Sequence, residues 1–285
     1  MKPPAFRYLA PRTLEEALAL RAEHAGDSAV LAGGQSLMPL LNLRMAFPGT
    51  LIDVGHVNEL VGIREWDGGV AIGAMTRQRA AERSTLIDER APLLAKALPN
   101  IGHPAIRNRG TVGGSIAHAD PAAELPAVAL ALDAELVAAS SSGERTIRAS
   151  DFFAGYLTTS LAPDELLVEV RLPGLAAGHG SAFVELARRH GDFALVGVGA
   201  AVALDDAGAI ADARLVFIGV AGAPVRAHDA EALLRGAMPT DEAYAEAAEL
   251  AKDAIDPGSD AHASGAYRRR VAGVLAQRAL REATP

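Results

Sequence analysis

The sequence predicts an α+β chain in two parts. The larger has a βαβ lobe and then a lobe on a mixed or antiparallel sheet; a small C-terminal α+β unit follows. Three observations predict it. Residues 28–54 run strand, glycine turn, helix, strand, the order of a βαβ unit. Asp67-Gly68-Gly69 lies between two apolar-rich runs, as a hairpin turn does. Pro173 to Gly180 is rich in Gly, Ala and Pro, and strands and then helices follow it. The expected domains are 1–175, with lobes at about 1–54 and 55–175, and 178–285.

Between Thr13 and Glu23, residues Leu14, Ala17, Leu18 and Leu20 fall at helical spacing. Thr13 is the expected N-cap, and Glu16 at N3 completes a capping box. Ser28–Leu31 reads as a short buried strand. Ser36 to Met45 reads as a helix with Pro39 in its first turn, where a missing N–H costs nothing. Thr50–Val54 is the next strand, and Leu60–Glu65 with Val70–Ala74 forms the hairpin. Helices are expected over 77–83, 91–98 and Leu125–Leu132, the last opened by Glu124. Strands are expected over Glu135–Ala139 and Leu166–Leu172. Beyond the linker come strands at Ala194–Leu204 and Ala213–Val220, then helices at 228–235, 240–253 and 264–282.

At 285 residues the chain can bury ample core in two domains. Its net charge of −8 lacks the basic footprint of a nucleic-acid binder. Arg268-Arg269-Arg270, in the last helix, reads as a solvated face or a subunit contact. With no Cys, the chain has no disulfides and no thiolate ligands for an iron–sulfur cluster. No apolar run reaches the roughly 18–20 residues that cross a bilayer. Met1-Lys2-Pro3-Pro4 has no apolar core of a signal peptide, so none is expected. Neither GxSxG nor HExxH occurs, and the eight His residues show no paired metal spacing.

Two glycine turns dominate the chain: Ala32-Gly33-Gly34-Gln35-Ser36-Leu37 and Thr111-Val112-Gly113-Gly114-Ser115-Ile116. Successive free N–H groups in such turns make an anion nest, and a strand–turn–helix setting adds the helix dipole. Two nests suit a ligand with a diphosphate in its middle, a dinucleotide. The first turn is neither GxGxxG nor followed by a P-loop Lys, so a Rossmann NAD site and a P-loop ATPase both fit poorly. It also reads as an ordinary tight βα turn. Downstream of the second turn, His118 reads either as a satisfied loop residue or as a ligand contact. Asp120 is an N-cap before Pro121 or a contact. Glu124 is a helix-opening carboxylate or a partner for a ribose hydroxyl.

The run AGGQSL at Ala32, followed by IRNRGTVGGSIAHADPAAELP around Gly110, resembles the FAD-binding medium subunits of molybdenum hydroxylases. This family includes carbon monoxide dehydrogenase medium chains and xanthine dehydrogenase flavin domains. The resemblance spans nearly the whole chain. It takes in Phe6–Pro11, Thr13–Ala17, Ile72–Thr76, Phe152–Tyr156, Leu161–Leu167 and Arg188–Ala194. It implies a two-lobed FAD-binding domain and a C-terminal domain with a three-stranded antiparallel sheet and a helical bundle. Ala32, Gly33, Gly34, Gln35, Ser36 and Leu37, with Leu31 leading in, would wrap the FAD diphosphate. Thr111, Gly113, Gly114 and Ser115 would line the ribityl and diphosphate side. His118, Asp120 and Glu124 would add polar contacts, and Ile101, Leu161 and Phe193 apolar contacts at the flavin. Gln35 stands where carbon monoxide dehydrogenases often carry His, and Val112 where they often carry Ile.

The resemblance also implies an oxidoreductase subunit with no catalytic acid, base or nucleophile of its own. Electrons would come from [2Fe-2S] clusters on a small subunit and leave through non-covalent FAD to an external acceptor. Substrate would be oxidised at a molybdenum cofactor on a large subunit. The expected assembly is a dimer of heterotrimers, a heterohexamer, in the cytoplasm or against the inner face of its membrane. The alternative is a stand-alone FAD-dependent oxidoreductase with its own substrate pocket. A scaffold that has lost FAD is the third reading.

Overall fold

The computed structural model describes residues 2–175 and 178–285; Met1, Ala176 and Ala177 lie outside them, and with them the middle of the expected linker. The first lobe holds β1 (Arg7–Leu9), α1 (Leu14–Glu23), β2 (Ser28–Leu31), α2 (Leu37–Asn42) and β3 (Thr50–Asp53). β3 is central and pairs parallel with both β1 and β2. The expected βαβ unit is therefore present, with β1 as a third strand too short to show a pattern. Thr13 caps α1 through the Glu16 N–H at 3.2 Å, but the Glu16 carboxylate reaches the N–H of Arg12, not Thr13. α2 stops before its expected end. Arg44 takes a left-handed φ of 56°, and the N–H groups of Arg44 and Met45 turn back to the carbonyls of Leu41 and Leu40. This is a Schellman stop without the usual glycine.

The second lobe begins with β4 (Ile63–Trp66) and β5 (Gly69–Gly73), joined through Asp67 and Gly68, both at positive φ as a tight hairpin requires. Helices α3 (Gln78–Glu82), α4 (Thr85–Arg90), α5 (Pro92–Ala97), α6 (Pro104–Arg107), α7 (Val112–His118) and α8 (Glu124–Ala131) follow. Then come β6 (Glu135–Ser140), β7 (Gly143–Arg148), α9 (Ala149–Phe152), β8 (Phe153–Gly155), β9 (Thr158–Thr159) and β10 (Leu166–Leu172). The main sheet is antiparallel, in the order β4-β5-β10-β6-β7. β10, last in the chain, takes the middle position.

The C-terminal unit contains β11 (Gly180–Leu186), β12 (Val196–Leu204), β13 (Ile210–Ile218), β14 (Val225–Arg226), α10 (His228–Leu234), α11 (Asp241–Ala251) and α12 (Gly265–Ala283). Its sheet is an antiparallel meander of four strands rather than three, because the two-residue β14 pairs with β13. Helices α10 and α12 pack against this sheet, α11 packs on both of them, and α5 and α8 of the second lobe also pack against it. With helices on both faces, β12 is buried almost throughout and reads as a continuous apolar run. Gly197 and Gly199 leave room beside Ile218, Val216 and Phe183, so the second lobe's core continues into the C-terminal sheet.

The triple arginine of α12 does not form a solvated face. Arg268 is buried, and Arg269 donates to the carbonyls of Lys252 and Ile255; Arg270 lies over the Tyr267 ring. Among the described residues no helix is long and apolar enough to cross a membrane.

Candidate functional site

A cleft of about 600 Å³ brings the two glycine turns together, a size typical of small-molecule and cofactor sites. Its walls come from the β2–α2 turn, the approach to α7, the loop at Ile101–Gly102, the stretch from Thr159 to Leu167, and Gly191–Phe193 of the C-terminal unit. Every residue singled out in the sequence lines it, except Leu31. Leu31 sits behind the first turn, where its Cδ1 lies 3.4 Å from the point a Cβ on Gly34 would occupy.

The first turn keeps the form of an anion nest. Gly34 has φ +73°, a left-handed value that glycine adopts without strain. No described residue accepts a hydrogen bond from the main-chain N–H of Gly33, Gly34, Gln35, Ser36 or Leu37. Ser36 precedes α2 but makes no capping bond with its side chain. The Gln35 amide instead folds back onto the Gly33 carbonyl at 3.1 Å. A row of unspent N–H groups beside a free hydroxyl fits a diphosphate.

The second turn is not a nest. The N–H groups of Val112 and Gly113 donate to the carbonyls of Thr76 and Ala74, and that of Ser115 to Thr111. The Gly114 N–H donates to the Thr111 hydroxyl, the N-cap of α7. These donors are spent inside the chain. The glycines serve close packing instead. A Cβ on Gly113 would stand 2.4 Å from the Ala74 Cβ, and one on Gly114 would lie 2.5 Å from Thr111 Oγ1 and 3.3 Å from the Ala32 Cβ. A Cβ on Gly33 would meet the Arg109 carbonyl oxygen at 2.4 Å and Gly110 Cα at 2.8 Å. The two turns thus lie back to back, and their glycines permit that approach.

The polar wall combines local structure with cleft exposure. Asp120 accepts from the Ala122 N–H at 2.9 Å, an Asx turn leading to Pro121, while Ala123 occupies the N-cap position of α8. Burial pushes the His118 imidazole down from its usual value, against the opposing pull of Asp120. Glu124, only 7% exposed, opens α8. Burial above all, then the charge of Glu185 on β11, pushes its carboxyl up to about 8; Asp120 adds to the rise, and the helix N–H and Arg107 oppose it.

Sequence reading missed, among others, Arg21 and Gln78, which also line the cleft. Arg21 lies in the last turn of α1, donates to Ser28 through Nη1, and has its Nε buried without a partner. Gln78 is buried, and its amide contacts the Thr111 carbonyl at 3.4 Å. These residues come from segments that are remote in sequence, and no local pattern marks them.

Comparison with known proteins agrees with this geometry. Residues 4–175 match the family described as the FAD binding domain in molybdopterin dehydrogenase, and residues 181–283 match the carbon monoxide dehydrogenase flavoprotein C-terminal domain. The 6-hydroxypseudooxynicotine dehydrogenase complex subunit alpha of Paenarthrobacter nicotinovorans is 43% identical, over 99% of this chain and 96% of its own. The carbon monoxide dehydrogenase medium chain of Hydrogenophaga pseudoflava is 39% identical, over 99% and 98%. Among solved structures, carbon monoxide dehydrogenase from Hydrogenophaga pseudoflava superposes with a TM-score of 0.96 at 41% identity, over 99% of this chain and 98% of that one. Quinoline 2-oxidoreductase from Pseudomonas putida 86 gives 0.95 at 38%, over 100% and 98%. A chain with these matches along its whole length, and with a row of unspent N–H groups facing a cleft between two lobes, belongs to the FAD-binding medium subunits of molybdenum hydroxylases.

Proposed function

We propose that this chain carries electrons, through FAD held in the cleft, from the [2Fe-2S] clusters of a small partner subunit to an external acceptor. Substrate oxidation then belongs to a molybdenum cofactor on a large partner subunit, and two such heterotrimers pair. The observation that carries the reading is the row of unspent N–H groups at Gly33–Leu37 facing the cleft. FAD supplies the redox chemistry; the chain supplies position and surroundings. Ala32–Leu37 would hold the diphosphate, and Thr111, Gly113, Gly114 and Ser115 would let it approach the α7 wall. His118, Asp120 and Glu124 would meet its polar edges. Ile101, Leu161 and Phe193 would shield the flavin. Residues 1–175 would form the cofactor domain and 178–285 a cover for it. Phe193, 66% exposed, and Ile106, 37% exposed, leave apolar surface at the cleft mouth for a partner.

Two measurements test this. The isolated FAD-loaded chain should reduce a dye acceptor with substrate only when both partner subunits are added. Substantial dye reduction by the chain alone would make it a stand-alone oxidoreductase. The chain has no Cys and no evident His attachment motif that could tether a flavin. Acid precipitation should therefore release all flavin into the supernatant, and flavin kept by the pellet would show a covalent bond.

A further inference from the structure

We propose that Arg107 and Arg268 are positioning residues that set the two loops at the cleft mouth against each other, one from each side. The inference rests on the reading of the cleft as a flavin site. Arg107 is 5% exposed. Its Nε and Nη2 grip the Glu82 carboxylate at 2.8 and 3.0 Å, and Arg79 holds the same carboxylate at 2.7 Å. The remaining Nη1 lies within bonding distance of three carbonyls of one short stretch: Pro99 at 3.3 Å, Ile101 at 2.9 Å and Gly102 at 3.2 Å. Ile101 and Gly102 form cleft wall; Arg107 does not reach the cleft. A planar fork can bind a carboxylate on one edge and a fan of carbonyls on the other, which a lysine ammonium cannot do.

Arg268 makes the corresponding arrangement in the C-terminal unit. It is 7% exposed and donates to the Leu195 carbonyl at 2.5 Å and the Gly219 carbonyl at 3.3 Å, with Asp260 pairing its other edge at 2.6 Å. Gly219 adopts φ +74°, and a Cβ there would lie 2.5 Å from the Leu195 oxygen. Leu195 ends the loop that places Asp192 and Phe193 in the cleft wall. Arg268, too, stays outside the cleft. The two loops meet at Gly191, where a Cβ would come 2.5 Å from the His103 ring, and the His103 and His190 rings touch edge to face at 5.8 Å. Each loop is thus held from behind by an arginine and braced in front by the other loop.

The test uses the FAD-loaded chain with Arg107→Lys, Arg268→Lys and both together. Three quantities are read: the FAD dissociation constant, the visible circular dichroism of the bound flavin, and the melting temperature of the FAD-free protein. Each single variant is expected to weaken FAD about tenfold and to change the flavin dichroism in the same sense. The double variant should fall well short of the product of the two, because the loops share one contact. A purely structural role would lower the melting temperature and leave the flavin dichroism unaltered, and that result overturns the proposal, as do multiplicative losses. Should the Lys variants not fold, Glu82→Gln and Gly191→Ala must reproduce the dichroism change, and failure to do so is equally fatal. A wild-type chain that takes up no FAD refutes the cofactor site itself, a distinct outcome.

Discussion

Gly33→Val is expected to give a folded chain that no longer holds FAD. The added Cβ would stand 2.4 Å from the Arg109 carbonyl oxygen and 2.8 Å from Gly110 Cα, and both are backbone atoms that cannot rotate away. Overpacking of this kind typically costs about 1–3 kcal/mol, and the strain falls on the turn itself. The first turn must back away from the second lobe, which carries its free N–H groups out of register with any diphosphate between them. A hundredfold or greater loss of affinity, about 3 kcal/mol, should follow. Gly114→Val acts from the opposite side, against Thr111 Oγ1 and the Ala32 Cβ, and also disturbs the cap of α7. The ratio of flavin to protein absorbance after gel filtration measures both. Full flavin occupancy in either variant would remove that turn from the binding site.

Glu124→Gln should change how the FAD-free protein responds to pH. In the folded chain burial keeps the Glu124 proton to about pH 8, whereas the unfolded chain releases it near 4.5. Between these values the native state binds more protons than the unfolded state, so stability falls as pH rises. The contribution is fully present below pH 4.5 and gone by about pH 8, and amounts to up to about 5 kcal/mol for a shift of this size. Glutamine stays uncharged throughout. The variant should therefore melt near the wild type at pH 5 and several degrees above it at pH 8. Glu185, which burial pushes up to about 7, adds a second fall of the same sign over a lower window. A difference between wild type and variant that does not vary from pH 5 to 8 would show that Glu124 is ionised in the fold.

Local chemistry made the first lobe and the opening hairpin of the second legible. Thr13 with a helical apolar spacing, the paired glycines after a short strand and the Asp67-Gly68 turn each act within a few residues, and each appears where expected. The family motifs singled out fewer than half of the residues that line the cleft, and Arg21, Val54, Leu60 and Gln78 reach it from segments outside those motifs. The second glycine turn was misread for a physical reason. Whether an N–H is free depends on carbonyls elsewhere, and Thr76 and Ala74 lie some 36–39 residues upstream of Val112 and Gly113. Arg44 ended α2 in a conformation that sequence reading assigns to glycine. Arg268 looked like one member of a charged cluster, yet its partners, Leu195 and Gly219, are supplied by distant strand ends. The strands β1 and β14 are too short for alternation to show, and β7 is mostly exposed and polar.

The place of β10 between β5 and β6 bears on how the chain is made. During synthesis the β4–β5 hairpin and the β6–β7 hairpin both emerge from the ribosome before the strand that must lie between them. Until Leu172 has been translated, β5 and β6 each present an unpaired edge, open to wrong partners in the crowded cell. Closing the sheet then brings together residues as far apart as Val70 and Leu172, a loop whose entropy is lost before pairing gives anything back. The chain therefore passes through a vulnerable period set by topology, and a chaperone that shields sheet edges would act most usefully before Leu172 appears.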